Sequence, residues 1–73
     1  PESEKPPHET LSDREFQVFR HLVTGTSVTD IAHALNLSVK TVSTHKSNLM
    51  GKLGVGNQSE LVRYAMKHGV GGS

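Results

Sequence analysis

The sequence has no cysteine, no tryptophan, and only Phe16, Phe19 and Tyr64 as aromatic side chains among 73 residues. Without cysteine there are no disulfides and no thiolate metal sites, which fits an intracellular protein. No apolar run approaches the ~20 residues that cross a bilayer, and nothing resembles a signal peptide, so no membrane partner is expected. With 33% hydrophobic residues, the chain can form one small domain with a thin core. It opens on Pro1 rather than Met, and the expectation is a fragment of something longer.

Two further shortages bear on function. The histidines His8, His21, His33, His45 and His68 are never four apart, so the i, i+4 pairing of helical zinc ligands is missing and neither a metal site nor a cofactor is expected. Catalysis is not expected either: no nucleophile has an evident base, and a chain this short offers no room for a pocket. Carboxylates are unevenly spread. Glu2, Glu4, Glu9, Asp13, Glu15 and Asp30 against Lys5, Arg14 and Arg20 give residues 1–30 a net charge of −3. Glu60 alone against Lys40, Lys46, Lys52, Arg63 and Lys67 gives residues 31–73 a net +4. Such a split suits a module that turns one face toward phosphate.

What is present centres on Ser38 to Leu53, SVKTVSTHKSNLMGKL. Ser38 is a good N-cap, and Val42, Leu49, Met50 and Leu53 follow at helical intervals as an apolar edge. The other face carries Lys40, Ser43, Thr44, Lys46, Ser47 and Asn48. Hydroxyls, an amide and lysines suit a polyanion that also displays hydrogen-bonding edges, as duplex DNA does. The competing reading is an ordinary solvated face.

The remaining chain predicts three more helices. Ser12 and Glu15 form an S-x-x-E capping box, and Phe16, Phe19, Leu22 and Val23, with Val18 beside them, carry an amphipathic helix to about Thr24, where Gly25 stops it. Ser27 caps a short helix buried through Val28, Ile31, Ala32 and Leu35. Asn36 can take the left-handed turn that closes it. Small Ala32 lets the next helix cross closely, the helix-turn-helix arrangement. After Gly54-Val55-Gly56, Asn57 and Glu60 open a last helix through Leu61, Val62, Tyr64, Ala65 and Met66. The expected fold is all-α, with helices at about 12–24, 28–35, 39–53 and 58–68. Residues 1–10 read as a polar linker, with a cloning remnant as the alternative. Residues 71–73 read as a disordered tail, with fraying expected from Gly69 onward.

From Leu11 to Val70 the chain resembles the DNA-binding domain of the LuxR/NarL (GerE-type) bacterial transcription regulators. The resemblance rests on LSDRE at 11–15, the Gly25 stop, DIAHALNLS at 30–38, KTVSTHKSNLMGKLGV at 40–55 and NQSELV at 57–62. The KTVST-x-K form is most similar to the BvgA-like response regulators. The resemblance implies a third helix in the major groove, a fourth supplying a dimer contact, and a receiver or ligand-sensing domain joined upstream, the receiver being favoured. It implies a bacterial, cytoplasmic, nucleoid-associated protein that binds double-stranded DNA as a homodimer, with RNA polymerase a further candidate partner.

Residue by residue, the resemblance implies base reading by Ser43, Thr44 and Ser47. Lys40 and Thr41 match positions that contact phosphate or a nearby base. His45 and Lys52 match backbone-contacting or supporting positions, and Lys46 is a further phosphate candidate. Several relatives carry Lys or Arg where this chain has Ser43 and Ser47. Serine discriminates bases less sharply than arginine, so DNA shape and water-mediated contacts are expected to contribute. Val62 and Met66 are the dimerisation candidates, with a core role as the alternative. An RNA- or protein-binding helical module, such as one like sigma-factor region four, remains the rival reading.

Overall fold

Each helix opens on a side chain that supplies the hydrogen bond its first turn lacks. Ser12 Oγ accepts from the Glu15 N–H at 3.2 Å, Ser27 Oγ from Asp30 at 3.2 Å, Ser38 Oγ from Thr41 at 3.1 Å, and Asn57 Oδ1 from Glu60 at 2.9 Å. In the computed structural model, which describes residues 7–70, these caps open α1 (Asp13–Val23), α2 (Val28–Leu35), α3 (Val39–Leu53) and α4 (Gln58–His68). The last three match the expected spans. The expected 12–24 includes Ser12 and Thr24, which serve as caps of α1. No strand occurs among the described residues, and the fold is the expected all-α one.

The helices stop where a left-handed residue turns the chain. Asn36, at φ 58°, follows α2, and the Leu37 N–H then closes back on the Ala32 carbonyl at 2.8 Å. Two residues later Ser38 caps α3, so the turn between α2 and α3 consists almost wholly of cap residues. Ala32, buried at this crossing, leaves α3 room to lie close.

Val18, Phe19 and Leu22 of α1, Ile31 and Ala32 of α2, Val42, Leu49 and Leu53 of α3, and Leu61 and Ala65 of α4 form one core. Fully burying a side chain such as Phe19, Ile31, Leu49 or Leu61 contributes about 1.5–3 kcal/mol each. Every helix supplies part of this core, and so α3 is held from behind along its length while its other face stays outside.

The N-terminal boundary differs from expectation. Residues 1–6 lie outside the described residues, but Pro7–Thr10 forms a 3-10 turn, exposed except at the half-buried His8, through which it is hydrogen-bonded to the domain. Tyr64 supplies the reason: its hydroxyl accepts from the His8 backbone N–H at 3.1 Å and lies 3.0 Å from His8 Nδ1. With the backbone N–H donating to the phenol oxygen, the phenol proton is free to go to Nδ1. The His68 ring stacks on Tyr64 with centroids 4.2 Å apart. At the other end, where fraying was expected from Gly69 onward, the first two residues have a defined geometry. Gly69 caps α4 at φ 66°, and Val70 closes on the Ala65 carbonyl at 2.9 Å and packs on the core. The tail expected at 71–73 lies outside the described residues.

Candidate nucleic-acid interface

The outward face of α3 follows from which of its residues the core takes. With Val42, Leu49 and Leu53 buried, the 100° step per residue turns Lys40, Ser43, Thr44, Ser47 and Asn48 away from the core. All five are exposed. Thr41, His45 and Lys46 are half-buried. The predicted base readers Ser43, Thr44 and Ser47 therefore share one open face with Lys40, whereas Lys46 starts from the side of the helix that carries Val42, Leu49 and Leu53.

The first turn of α3 differs electrostatically from those of the other helices. Asp13 and Glu15, Asp30, and Glu60 place carboxylates in the first turns of α1, α2 and α4, whereas α3 has none. The partial positive charge of its N-terminus is left for another anion. Thr41 belongs to this start: its Oγ1 accepts from Ser38 Oγ at 2.9 Å while its N–H donates to the same Ser38 oxygen. The two side chains order the turn that presents Lys40.

Lys52 sits elsewhere. Its Nζ donates to Glu15 Oε1 at 2.8 Å, pinning the last turn of α3 to the first turn of α1. The same Oε1 accepts from the Ser12 N–H at 3.0 Å, completing the capping box. The Glu15 side chain is 7% exposed and that of Lys52 43%. The Lys52 ammonium beside it, and then the Ser12 N–H, hold the Glu15 carboxyl below its ordinary value, against the opposing effect of burial. Lys52 was expected to contact the DNA backbone or to play a supporting part, and the ion pair to Glu15 is the contact its side chain makes among the described residues.

Glu15 is the residue the sequence reading undervalued. The S-x-x-E pattern identified its cap, but its partner lies 37 residues away, beyond the reach of any local pattern. Gln58 was missed for the same reason. Its Nε2 donates to the Leu22 carbonyl at 2.6 Å, which also accepts from the Gly25 N–H at 3.0 Å, and so ties the start of α4 to the end of α1. Glu60 Oε1 accepts from the Gly56 N–H at 2.7 Å, one residue before the Asn57 cap. On α4, Met66 is 77% exposed and Val62 half-buried, while the core takes Leu61 and Ala65. Among the described residues no three His, Asp or Glu side chains gather as a metal site, and no helix is long and apolar enough to cross a membrane.

A short capped helix, a tight left-handed turn and a longer helix with an open polar face define a helix-turn-helix protein. The chain belongs to the luxR family of bacterial regulatory proteins, whose pattern matches residues 9–65. It is 54% identical over 55 residues to the Fimbriae Z protein of Escherichia coli K12, a match covering 75% of this chain and 26% of that protein. It is 36% identical over 70 residues to the response regulator UvrY of the same strain, covering 96% of this chain and 32% of UvrY. The oxygen regulatory protein NreC of Staphylococcus aureus is 43% identical over 61 residues, covering 84% of this chain and 28% of NreC. Full-length FixJ from B. japonicum superposes with a TM-score of 0.80 at 38% identity, over 86% of this chain and 31% of FixJ. This chain thus spans about a quarter to a third of the length of the relatives it matches.

Proposed function

We propose that this chain is the sequence-specific double-stranded-DNA-binding part of a bacterial transcription regulator, with α3 lying in the major groove. The open face of α3 carries this reading: Lys40, Ser43, Thr44 and Ser47 are exposed together on a helix whose first turn has no carboxylate. Lys40 and Lys46 neutralise phosphates, and the short hydroxyl side chains reach base edges. The Lys52–Glu15 pair holds α3 on α1 so that this face meets the groove as a rigid ridge. Met66, with Val62 beside it, meets a second copy bound to the adjoining half-site, because a single small module discriminates poorly alone. The response regulators among its relatives support a receiver domain joined upstream of Pro1, a cytoplasmic and nucleoid-associated setting, and RNA polymerase as a further partner.

Titration of duplex DNA at two or more salt concentrations, beside single-stranded RNA, tests the reading. The chain should prefer duplex DNA, and Lys40→Ala or Lys46→Ala should each lower the log–log salt slope by roughly 0.9, the loss of one phosphate contact. Stronger binding to the RNA, or slopes unmoved by both substitutions, would overturn the reading in favour of an RNA- or protein-binding module.

A further inference from the structure

We infer that Thr44 reads the 5-methyl group of thymine through its own methyl, while Ser43 and Ser47 beside it read by hydrogen bonding. The inference rests on the assignment of α3 as the groove helix and adds the chemistry of one contact. All three side chains are exposed on the same face, yet their hydroxyls are not equivalent. Thr44 Oγ1 donates to the Lys40 carbonyl one turn back, at 3.1 Å. The Ser43 and Ser47 hydroxyls make no hydrogen bond within the described residues.

A hydroxyl has one proton and two lone pairs. Because the Thr44 proton is committed to its own helix, the side chain donates to purine N7, guanine O6 or thymine O4 only by giving up that bond. Folding Oγ1 back along the helix leaves Cγ2 free on an exposed residue, beside an oxygen that can still accept but not donate. The major-groove edge presents one apolar group, the thymine methyl, and a threonine methyl is a suitable partner for it. Ser43 and Ser47, with uncommitted protons, are left to donate or accept. The three small side chains thus form a mixed surface, with two adaptable polar readers and one apolar reader beside Lys40.

The test uses a duplex selected from a randomised pool by the wild-type chain, with each thymine replaced in turn by deoxyuridine. That replacement deletes the 5-methyl and leaves every hydrogen-bonding edge in place. At one thymine per half-site it should weaken wild type and Thr44→Val about four-fold, the factor corresponding to one methyl group removed from water. Thr44→Ser, which keeps the hydroxyl and loses the methyl, should bind the thymine duplex about four-fold more weakly and be indifferent to the replacement. Thermal melts of the two variants should match wild type, since the site is exposed. Thr44→Val losing affinity while Thr44→Ser keeps it would show that the hydroxyl does the reading and overturn the inference. A consensus insensitive to deoxyuridine at every thymine would overturn the methyl contact while leaving groove reading intact. Selection yielding no consensus would overturn base reading by α3, and this inference with it.

Discussion

Removing the Glu15 carboxylate should destabilise this domain more than removing any other acid in it, because one oxygen closes two structures at once. Oε1 accepts from the Ser12 N–H at 3.0 Å and from Lys52 Nζ at 2.8 Å. A capping contact is worth about 1 kcal/mol. A charge-assisted bond contributes about 1.5–3 kcal/mol when shielded, but Lys52 is 43% exposed, and solvent screening brings the pair down to about 1 kcal/mol. Glu15→Ala should therefore cost about 2 kcal/mol, or about 8–16 °C in Tm for a domain of this size. Glu15→Gln retains an acceptor for the Ser12 N–H and should cost about half as much. The pH dependence has a definite sign. The folded-state pKa is lowered from 4.5, so the folded form binds fewer protons than the unfolded chain across that interval. The stabilisation is full above pH 4.5 and lost as pH falls through the lowered value. Melts of wild type and Glu15→Gln should accordingly converge in acid. A double-mutant cycle with Lys52→Met completes the assay: Lys52→Met should cost about 1 kcal/mol alone and little in the Glu15→Gln background. Strict additivity, or a gap between wild type and Glu15→Gln that persists at low pH, would refute the coupling. Lys52→Met should also leave the salt slope of DNA binding unchanged. A fall of roughly 0.9 would return Lys52 to phosphate contact.

Met66→Glu should change stability by no more than about 0.5 kcal/mol, because the side chain lies outside the core. In gel shifts it should reduce paired occupancy of a two-half-site duplex while single-half-site affinity holds, and equal losses on both probes would argue against a dimer contact at α4. Tyr64→Phe should release the Pro7–Thr10 turn by removing the partner of both the His8 N–H and Nδ1. Amide exchange should show His8 losing protection with the core amides of α4 unchanged, and an unaltered His8 rate would mean that the turn is held by packing alone.

Sequence alone determined the local structure here because the signals that set it are local. A capping side chain acts three residues ahead, a left-handed Asn or Gly acts within one turn, and apolar periodicity defines which side of each helix is buried. Those rules are enough to place Ser12, Ser27, Ser38 and Asn57 as starts and Asn36, Gly54 and Gly69 as stops. They also separate Val42, Leu49 and Leu53 from Lys40, Ser43, Thr44 and Ser47 on α3. The order of the motifs was enough for the family.

Tertiary structure decided what joins residues far apart in the chain. Lys52 and Ser12 meet at Glu15, Gln58 reaches the Leu22 carbonyl, and His8 reaches Tyr64 across 56 positions. No periodicity encodes such meetings, since each depends on how two helices are set against one another. The Pro7–Thr10 turn shows the consequence. Its residues are polar and proline-rich and read as solvated linker, because the group that orders them belongs to α4. The same limit holds on the outer face of α3. Three short hydroxyl residues look interchangeable as letters, and only the folded helix shows which of them has turned its proton inward to the Lys40 carbonyl.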